Sequence, residues 1–442
     1  MKTTHAARQR AARIGSAMTA ALRNPWTVLP ALWALFSVLL VAVNALPDRL
    51  VKRHITDGLA QIRAEGDHPW ILFTQQSQLD NYTDRVMLQQ SQRVSEWNEA
   101  VQQFVLPQYW EPYQANAIHN PLYAAFWNQG YPRYWHGYTV VLKPLLAVMS
   151  YQSIRFVSAI ALLLLLFAAF RSVHRLFGGA YAAMLAPALA VMNVYVAPMS
   201  LQYSASFYVM LIALILLRRI IDHPVPAFLI IGAVINFLDF LTFPLVTLAF
   251  PLAFVLLARG RDDDAHARGL LPRLLLAVRC AAAWGVAYAS TWAVKWVLSS
   301  LVTRQNVVSN ALEATVIRSG SSDNGEKVGR LATVALNYRI GFWQQHGLLM
   351  ILALCAAMMV LAVRDVAMHR GFVPLRDRLA DSVLLACVAV LPVAWYMVLT
   401  NHSYVHATFL AYRDVGITVL CVGLIGMTLV RTVDARMEDG ES

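Results

Sequence analysis

Long apolar runs separated by shorter polar stretches make up most of this chain. A helix needs roughly 20 apolar residues to cross a hydrocarbon core about 30 Å thick. The runs predict an all-α, polytopic transmembrane helical bundle with about ten spans, several of them short. The predicted spans lie near residues 26–46, 154–170, 180–196, 204–217, 227–242, 244–258, 274–298, 341–363, 382–399 and 415–430.

One long polar interval interrupts this pattern between the first two spans. Residues 47–136 contain no run of span length, which predicts a folded extracytoplasmic loop rather than a simple connector. Within it, residues 51–62 and 88–104 have apolar positions at helical spacing and predict amphipathic helices on the membrane surface. Residues 137–150 are apolar but too short for a span, which favours an interfacial helix. We treat residues 1–442 as a single membrane domain, with 137–430 carrying the remaining spans.

Composition agrees with a membrane protein. The 442 residues are 58% hydrophobic and only 14% charged, against roughly 25% charged in soluble domains. The net charge of +11 comes from arginine and lysine next to apolar runs, so we interpret it through the positive-inside rule and exclude nucleic acid as a partner. The predicted location is the inner (plasma) membrane, multi-pass, with both termini cytoplasmic. Four cysteines fall inside apolar runs and are interpreted as small core residues: Cys280, Cys355, Cys387 and Cys421.

The segment LDNYTDRVML, residues 79–88, is the leading candidate for chemistry because it carries two acids in a water-facing part of the loop. If it is helical, Asp80 and Asp84 lie four residues apart on one face. Their mutual repulsion would then raise the pKa of one acid and leave the other ionised, as suits a general base.

Other unusual polar and aromatic residues fall on the predicted external side. Each also has an ordinary explanation. The run YPRYWHGY, residues 131–138, could be an aromatic belt at the membrane interface, and Lys143 could extend its charged end to the lipid headgroups. His402 and His406, four positions apart, could simply be hydrogen-bonded. An aspartate within FLDFLTF is costly in lipid and indicates a cavity or a paired charge. The candidate binding residues are Arg133, Tyr134, Trp135, His136, Tyr138, Lys143, Gln202, Tyr203, Asp239, Lys295, His402, His406 and Arg413.

The sequence contains no P-loop, GxGxxG, HExxH or GxSxG pattern in a supporting context, which argues against ATP-driven transport and the common hydrolase mechanisms. The long acidic first loop, the aromatic and basic residues at later external loop ends and the ten predicted spans together resemble polytopic glycosyltransferases of the GT-C superfamily. The segments YWHGYTVVLKPLL, FLDFLTFPLVTL and NHSYVHATFLAYR are similar to segments of bacterial members. The spacing DNYTD departs from the tight acidic pair of several members, which leaves open which acid is the base; we favour Asp80.

The resemblance implies transfer of a sugar from a polyprenyl-phosphate donor to a glycan or lipid acceptor on the extracytoplasmic face. It assigns Asp80 or Asp84 as general base, and Lys143, Arg133, Arg413 and Lys295 as candidate phosphate ligands. It assigns Trp135, Tyr134 and Tyr138 to sugar stacking and the histidines to hydroxyls or phosphate. No cofactor is required, but a divalent cation such as Mg or Mn is permitted, with Asp80, Asp84, His402 and His406 as possible ligands.

Three other functions remain open on the sequence. A transporter or flippase of lipid-linked saccharides would use the same external cavity without chemistry, but predicts polar residues continuing through the spans. A membrane O-acyltransferase would use the histidines and acids with an acyl donor, although the polar cytoplasmic cluster that a cytosolic donor needs is missing. A structural or assembly subunit would use the external loop for docking.

Overall fold

The computed structural model describes residues 25–72, 74–93, 110–262, 264, 268–323, 326–342, 356, 360 and 374–430, and these are almost entirely helical. A hairpin of two-residue strands, β1 (Ser322–Asp323) and β2 (Glu326–Lys327), is the exception. The α-helices are α1 (Pro25–Ala45), α2 (Lys52–Glu65), α3 (Asn81–Gln90), α4 (Trp110–His119), α5 (Pro121–Trp127), α6 (Thr139–Val148), α7 (Tyr151–Phe177), α8 (Gly179–Ala183), α9 (Leu185–Val191), α10 (Leu201–Ile215), α11 (Leu217–Asp222), α12 (Pro224–Leu238), α13 (Val246–Arg259), α14 (Leu270–Thr303), α15 (Val307–Ser319), α16 (Arg330–Phe342), α17 (Leu375–Ala389), α18 (Leu391–Val398), α19 (Thr400–Val405) and α20 (Val415–Leu429). Short 3₁₀ turns occur at Asp48–Leu50, Gln75–Ser77, Asn128–Gly130, Val194–Val196 and Ala411–Asp414.

Among the described residues, five helical segments are long and apolar enough to cross a membrane, so the chain is membrane-embedded. They are Thr27–Ala45, Tyr151–Phe177, Leu270–Thr303, Leu375–Val398 and Ala411–Leu429. Helices also cover the shorter predicted runs, but at 10 to 17 residues they fall below span length. The predicted run 180–196 is divided between α8, α9 and a 3₁₀ turn. The predicted run 341–363 lies almost wholly outside the described residues, as does Cys355.

Some helix ends are fixed by ordinary capping residues. Ser150 caps α7, where its hydroxyl accepts a hydrogen bond from the N–H of Ser153 at 3.2 Å. The same helix ends at Gly178, whose φ of +92° suits glycine. Asn120 caps α5, which begins with Pro121. Local sequence therefore sets these boundaries without tertiary help.

Helices α12 and α14 pack closely against each other. A Cβ atom added at Gly232 would lie 2.3 Å from the carbonyl oxygen of Trp284, so the two backbones meet only because residue 232 is glycine. Thr291 on α14 accepts a hydrogen bond from Trp33 of α1 at 3.0 Å through its hydroxyl, and one from Trp135 at 2.8 Å through its carbonyl. At the other end of α14, Arg273 forms a buried ion pair with Asp381 of α17.

The loop that follows α1 folds back onto the bundle. The predicted amphipathic helix 51–62 is present as α2. For the predicted helix 88–104 the structure describes only residues 88–93, and there α3 ends at Gln90. Residues 94–104 lie outside the described residues. Arg155 of α7 holds α2 by donating to both carboxylate oxygens of Glu65, at 2.7 and 2.9 Å, and holds α3 by donating to Asn81 at 3.1 Å.

Candidate active site

A cavity of about 500 Å³ opens where seven segments of the chain converge, some of them helical and some connecting helices. Its wall combines one carboxylate, one guanidinium and three imidazoles with tyrosine rings and an apolar side. The residues that line it are His68, Asp80, Tyr82, Thr83, Val86, Tyr131, Tyr134, Gln202, Phe240, Leu241, Thr242, Arg318, His402, Val405, His406, Phe409 and Leu410. The ten-span topology predicted from the sequence would put all of these segments on the same side of the membrane.

Asp80 lies at the N-cap of α3. Its Oδ1 accepts from the N–H of Thr83 at 3.0 Å, and its Oδ2 accepts from the Thr83 hydroxyl at 2.7 Å. The side-chain amide of Gln202 also donates to Oδ2. The Nδ1 of His68 lies 3.9 Å from Oδ1. Asp80 is therefore held in one orientation at the cavity wall.

The predicted water-facing setting of the two acids is wrong, because Asp80 is 2% exposed and Asp84 is fully buried. Burial raises the pKa of Asp80, against the hydrogen bonds from Thr83 that favour the ionised form. Burial also raises the pKa of Asp84, to about 6. Desolvation, rather than the expected mutual repulsion, is thus the main cause of both shifts.

Asp84 does not belong to the cavity wall. Its Oδ2 accepts from the Tyr151 hydroxyl at 2.5 Å and from the N–H of Leu201 at 2.8 Å, and its Oδ1 accepts from the N–H of Gln202 at 3.1 Å. These N–H groups are the first two of α10, where a carboxylate satisfies free donors and complements the helix dipole. The contacts of Asp84 are those of a residue that fixes α10 against α3 and α7.

The aromatic run is divided by the fold. Tyr131 and Tyr134 line the cavity. Trp135 packs in the core beside Phe36 and Phe126. All of these rings are buried, which excludes the aromatic-belt interpretation for this run. His136 and Tyr138 lie behind the wall, where Nδ1 of His136 is 3.0 Å from the Tyr138 hydroxyl and Nε2 is 2.8 Å from the carbonyl of Tyr131.

None of the four cations predicted to hold phosphate lines the cavity. Lys143 pairs with Asp48 at 2.8 Å instead of snorkelling. Lys295 donates to Asn128 at 2.6 Å. Arg133 donates to Asn310 at 3.0 Å. Arg413 donates to the carbonyl of Met192 and stacks on the ring of Tyr203. Of the predicted pair Gln202 and Tyr203, only Gln202 lines the cavity.

Arg318, at the C-terminal end of α15, supplies the positive charge that the predicted cations do not. Its guanidinium carbon lies 5.8 Å from the centroid of the Tyr134 ring. No aspartate or glutamate in the described ranges pairs with it. Sequence reasoning missed this residue, although an arginine on the predicted external side runs against the positive-inside trend and is a usable signal.

Asp239 builds a turn that forms part of the wall. Its carboxylate accepts from the N–H of Thr242 at 2.8 Å and from the Thr242 hydroxyl, so it faces neither lipid nor the cavity. Within the turn, Leu241 has φ of +70°, a conformation that costs a non-glycine residue roughly 1–3 kcal/mol. The carbonyl of Leu241 lies 2.8 Å from Nε2 of His402, which ties the turn to α19.

His402 and His406 both line the cavity, with ring centroids 4.6 Å apart and planes at 62°. The predicted metal set is not assembled, because Asp84 is tied to α10, and the described residues contain no group of three or more potential metal ligands. Among the described residues, Asp80 is the only acid that lines the cavity. The arrangement suits a neutral polyhydroxylated group next to an anion better than a hard cation.

Comparison of the chain with models of known protein families finds no match, and comparisons with curated proteins and with solved structures find none either.

Proposed function

We propose that the protein is a membrane glycosyltransferase of GT-C type that transfers a sugar from a polyprenyl-phosphate donor to a glycan or lipid acceptor. The observation that carries the proposal is the convergence of Asp80, Arg318 and tyrosine rings in one cavity. These residues come from connections that the charge pattern assigns to one face of the membrane. The proposal includes about ten spans, cytoplasmic termini in the inner (plasma) membrane and a reaction on the extracytoplasmic face.

Asp80 is the general base in this proposal. Its carboxylate takes the proton of the acceptor hydroxyl as that oxygen forms a bond to the anomeric carbon. The bond between the anomeric carbon and the phosphate oxygen breaks, and its electron pair leaves with polyprenyl phosphate. The negative carboxylate also stabilises the oxocarbenium-like transition state. Attack from the face opposite the leaving group gives inversion, which the resemblance also implies.

Arg318 holds the donor phosphate, in place of the four cations that the sequence suggested. A guanidinium matches phosphate oxygens with two parallel N–H donors. It offsets the charge that develops on the departing phosphate. Tyr131 and Tyr134 lie within reach of the same cavity and offer ring faces to the sugar.

A Mg or Mn ion, which the resemblance allows, is not part of the proposed reaction. Such ions prefer several oxygen ligands. Asp80 is the single carboxylate found among the described lining residues, and its oxygens already accept from Thr83 and Gln202. The donor set therefore fits a metal poorly.

The test is turnover by purified protein in liposomes, supplied with short-chain polyprenyl phosphates that carry glucose, galactose, mannose or arabinose. Asp80→Asn should lower the rate about a thousandfold, which corresponds to roughly 4 kcal/mol of barrier. Asparagine is as good an N-cap as aspartate, so α3 should remain folded in this variant. Asp57→Asn is the matched control, since Asp57 is 63% exposed and lies outside the cavity wall.

Two results would overturn the proposal. Full activity of Asp80→Asn with loss in Asp84→Asn, at matched thermal stability, would move the base to Asp84. Passage of labelled lipid-linked sugar across the bilayer, with none of the four donors consumed, would establish the flippase function instead.

A further inference from the structure

The hydrogen bond between His402 and Leu241 fixes which ring nitrogen carries the proton. A carbonyl oxygen only accepts hydrogen bonds, so Nε2 of His402 is the protonated nitrogen. In a neutral imidazole the other nitrogen, Nδ1, is then an acceptor. Nδ1 of His402 is buried and has no hydrogen-bond partner among the described residues, and the same is true of Nδ1 of His406.

Both rings are neutral near pH 7. Burial lowers the pKa of His402 well below its usual range, and the neighbouring His406 and Arg318 lower it further. Burial lowers the pKa of His406 to about 4, with additional effects of Arg318 and His68. The positive charge of Arg318 therefore opposes any second positive charge on these rings.

An unpaired acceptor nitrogen selects the chemistry of its ligand. Phosphate oxygens of the donor are acceptors, so a neutral His402 with its N–H already engaged does not bind them. A divalent cation would use the nitrogen lone pair but would be repelled by Arg318. A hydroxyl group donates a hydrogen bond and carries no charge, so it can satisfy a buried acceptor that otherwise remains unpaired at a cost in free energy.

We infer that His402 and His406 form a hydroxyl-binding subsite, in which Nδ1 of His402 accepts a hydrogen bond from a hydroxyl of the ligand sugar. The inference rests on the proposed function for the identity of the ligand as a sugar. It divides the cavity between Arg318, which binds the anionic part of the ligand, and the histidine pair, which binds the polyol. His402 is a positioning residue that orients the sugar for attack.

Two substitutions of His402 separate the ligand contact from the structural bond to Leu241. In His402→Gln the amide nitrogen can replace Nε2 and keep the bond to the carbonyl, but no acceptor remains at the position of Nδ1. In His402→Asn the amide oxygen takes the position of Nδ1, and the bond to Leu241 is lost. If His402 acts only through its bond to Leu241, His402→Asn should weaken glycoside binding. If it also binds the sugar hydroxyl, His402→Gln should weaken glycoside binding.

The probes are the methyl glycosides of glucose, galactose, mannose and arabinose, with binding to detergent-solubilised protein measured by saturation-transfer NMR. At least one glycoside should bind the parent and His402→Asn, and bind His402→Gln ten- to hundredfold more weakly. A monodeoxy form of that glycoside that lacks the contacted hydroxyl should bind the parent and His402→Gln equally. Thermal stability of each variant is measured in parallel.

Equal binding of every glycoside to the parent and His402→Gln would overturn the inference, as would a lack of binding of all four to the parent. Stoichiometric binding of Zn²⁺ that is lost in His402→Gln and in His406→Gln would overturn it in favour of a metal site. Because none of these measurements uses turnover, loss of this subsite is distinguishable from failure of the proposed function, which donor consumption by the parent decides.

Discussion

The side-chain amide of Gln202 donates a hydrogen bond to Oδ2 of Asp80, while its backbone N–H donates to Asp84 at 3.1 Å. One residue at the start of α10 thereby connects the acid in the cavity wall to the acid behind it. A donor to an ionised carboxylate favours the charged form and so lowers its pKa. Gln202 thus opposes the effect of burial on Asp80.

Gln202→Leu should therefore raise the pKa of Asp80 further. A hydrogen bond to a charged group favours that form by about 1.5–3 kcal/mol, and the leucine side chain cannot supply one. Since the base must be ionised, the acidic limb of the profile of kcat/KM against pH should move to higher pH. The measurement is the profile in parent and variant; an unmoved acidic limb would contradict the assigned role of Asp80.

The buried carboxyl of Asp84 should make stability depend on pH between about 4 and 6. Its pKa is about 6 in the folded protein, above the ordinary value of 3.8. The folded chain therefore keeps a proton that the unfolded chain releases, so the contribution is fully present below pH 4 and is lost as pH rises through 6. The contribution of Asp84 to the free energy of unfolding therefore falls by an amount on the order of 3 kcal/mol across this pH range.

The check is the thermal midpoint of parent and Asp84→Asn in detergent from pH 4 to pH 7. The midpoint of the parent should rise relative to that of the variant as pH falls from 6 to 4, because asparagine does not titrate. A constant difference across this range would show that Asp84 does not titrate there.

Arg318→Gln should lower kcat/KM for the polyprenyl-phosphate donor ten- to hundredfold and weaken product inhibition by polyprenyl phosphate, because the phosphate loses its cation. Arg330→Gln removes an exposed arginine from the neighbouring helix and is the matched control. Arg318→Lys should recover part of the loss, since lysine restores the charge but not the planar pair of donors. Equal effects of Arg318→Gln and Arg330→Gln would mean that Arg318 acts only through the general surface charge.

Gly232→Ala should reduce the thermal stability of the bundle, because the new methyl group would meet the Trp284 carbonyl at 2.3 Å. Separating α12 from α14 to admit it costs about 1–3 kcal/mol. Gly285→Ala is the control on α14, where an added Cβ has no atom within 4 Å. It should leave the midpoint unchanged or raise it, because alanine favours helix. A stable Gly232→Ala variant would show that the two helices pack less tightly than described.

The sequence by itself determined the class of protein, the positions of most described helices and several of the segments that line the cavity, although not the one that carries Arg318. These properties depend on local information: runs of apolar residues, capping residues such as Ser150 and Asn120, and positive charges beside apolar runs. The prediction of α2 within residues 51–62 followed from helical periodicity.

The tertiary structure alone decided which of those residues face the cavity. Asp80 and Asp84 are four positions apart, yet one caps its own helix at the cavity wall and the other caps α10 behind it. Lys143, Arg133 and Arg413 were all candidate phosphate ligands on sequence, yet none of them lines the cavity. Asp48, Asn310 and the Met192 carbonyl engage them instead. Side-chain direction and partner depend on groups distant in the chain, and hydrophobic periodicity carries no information about them.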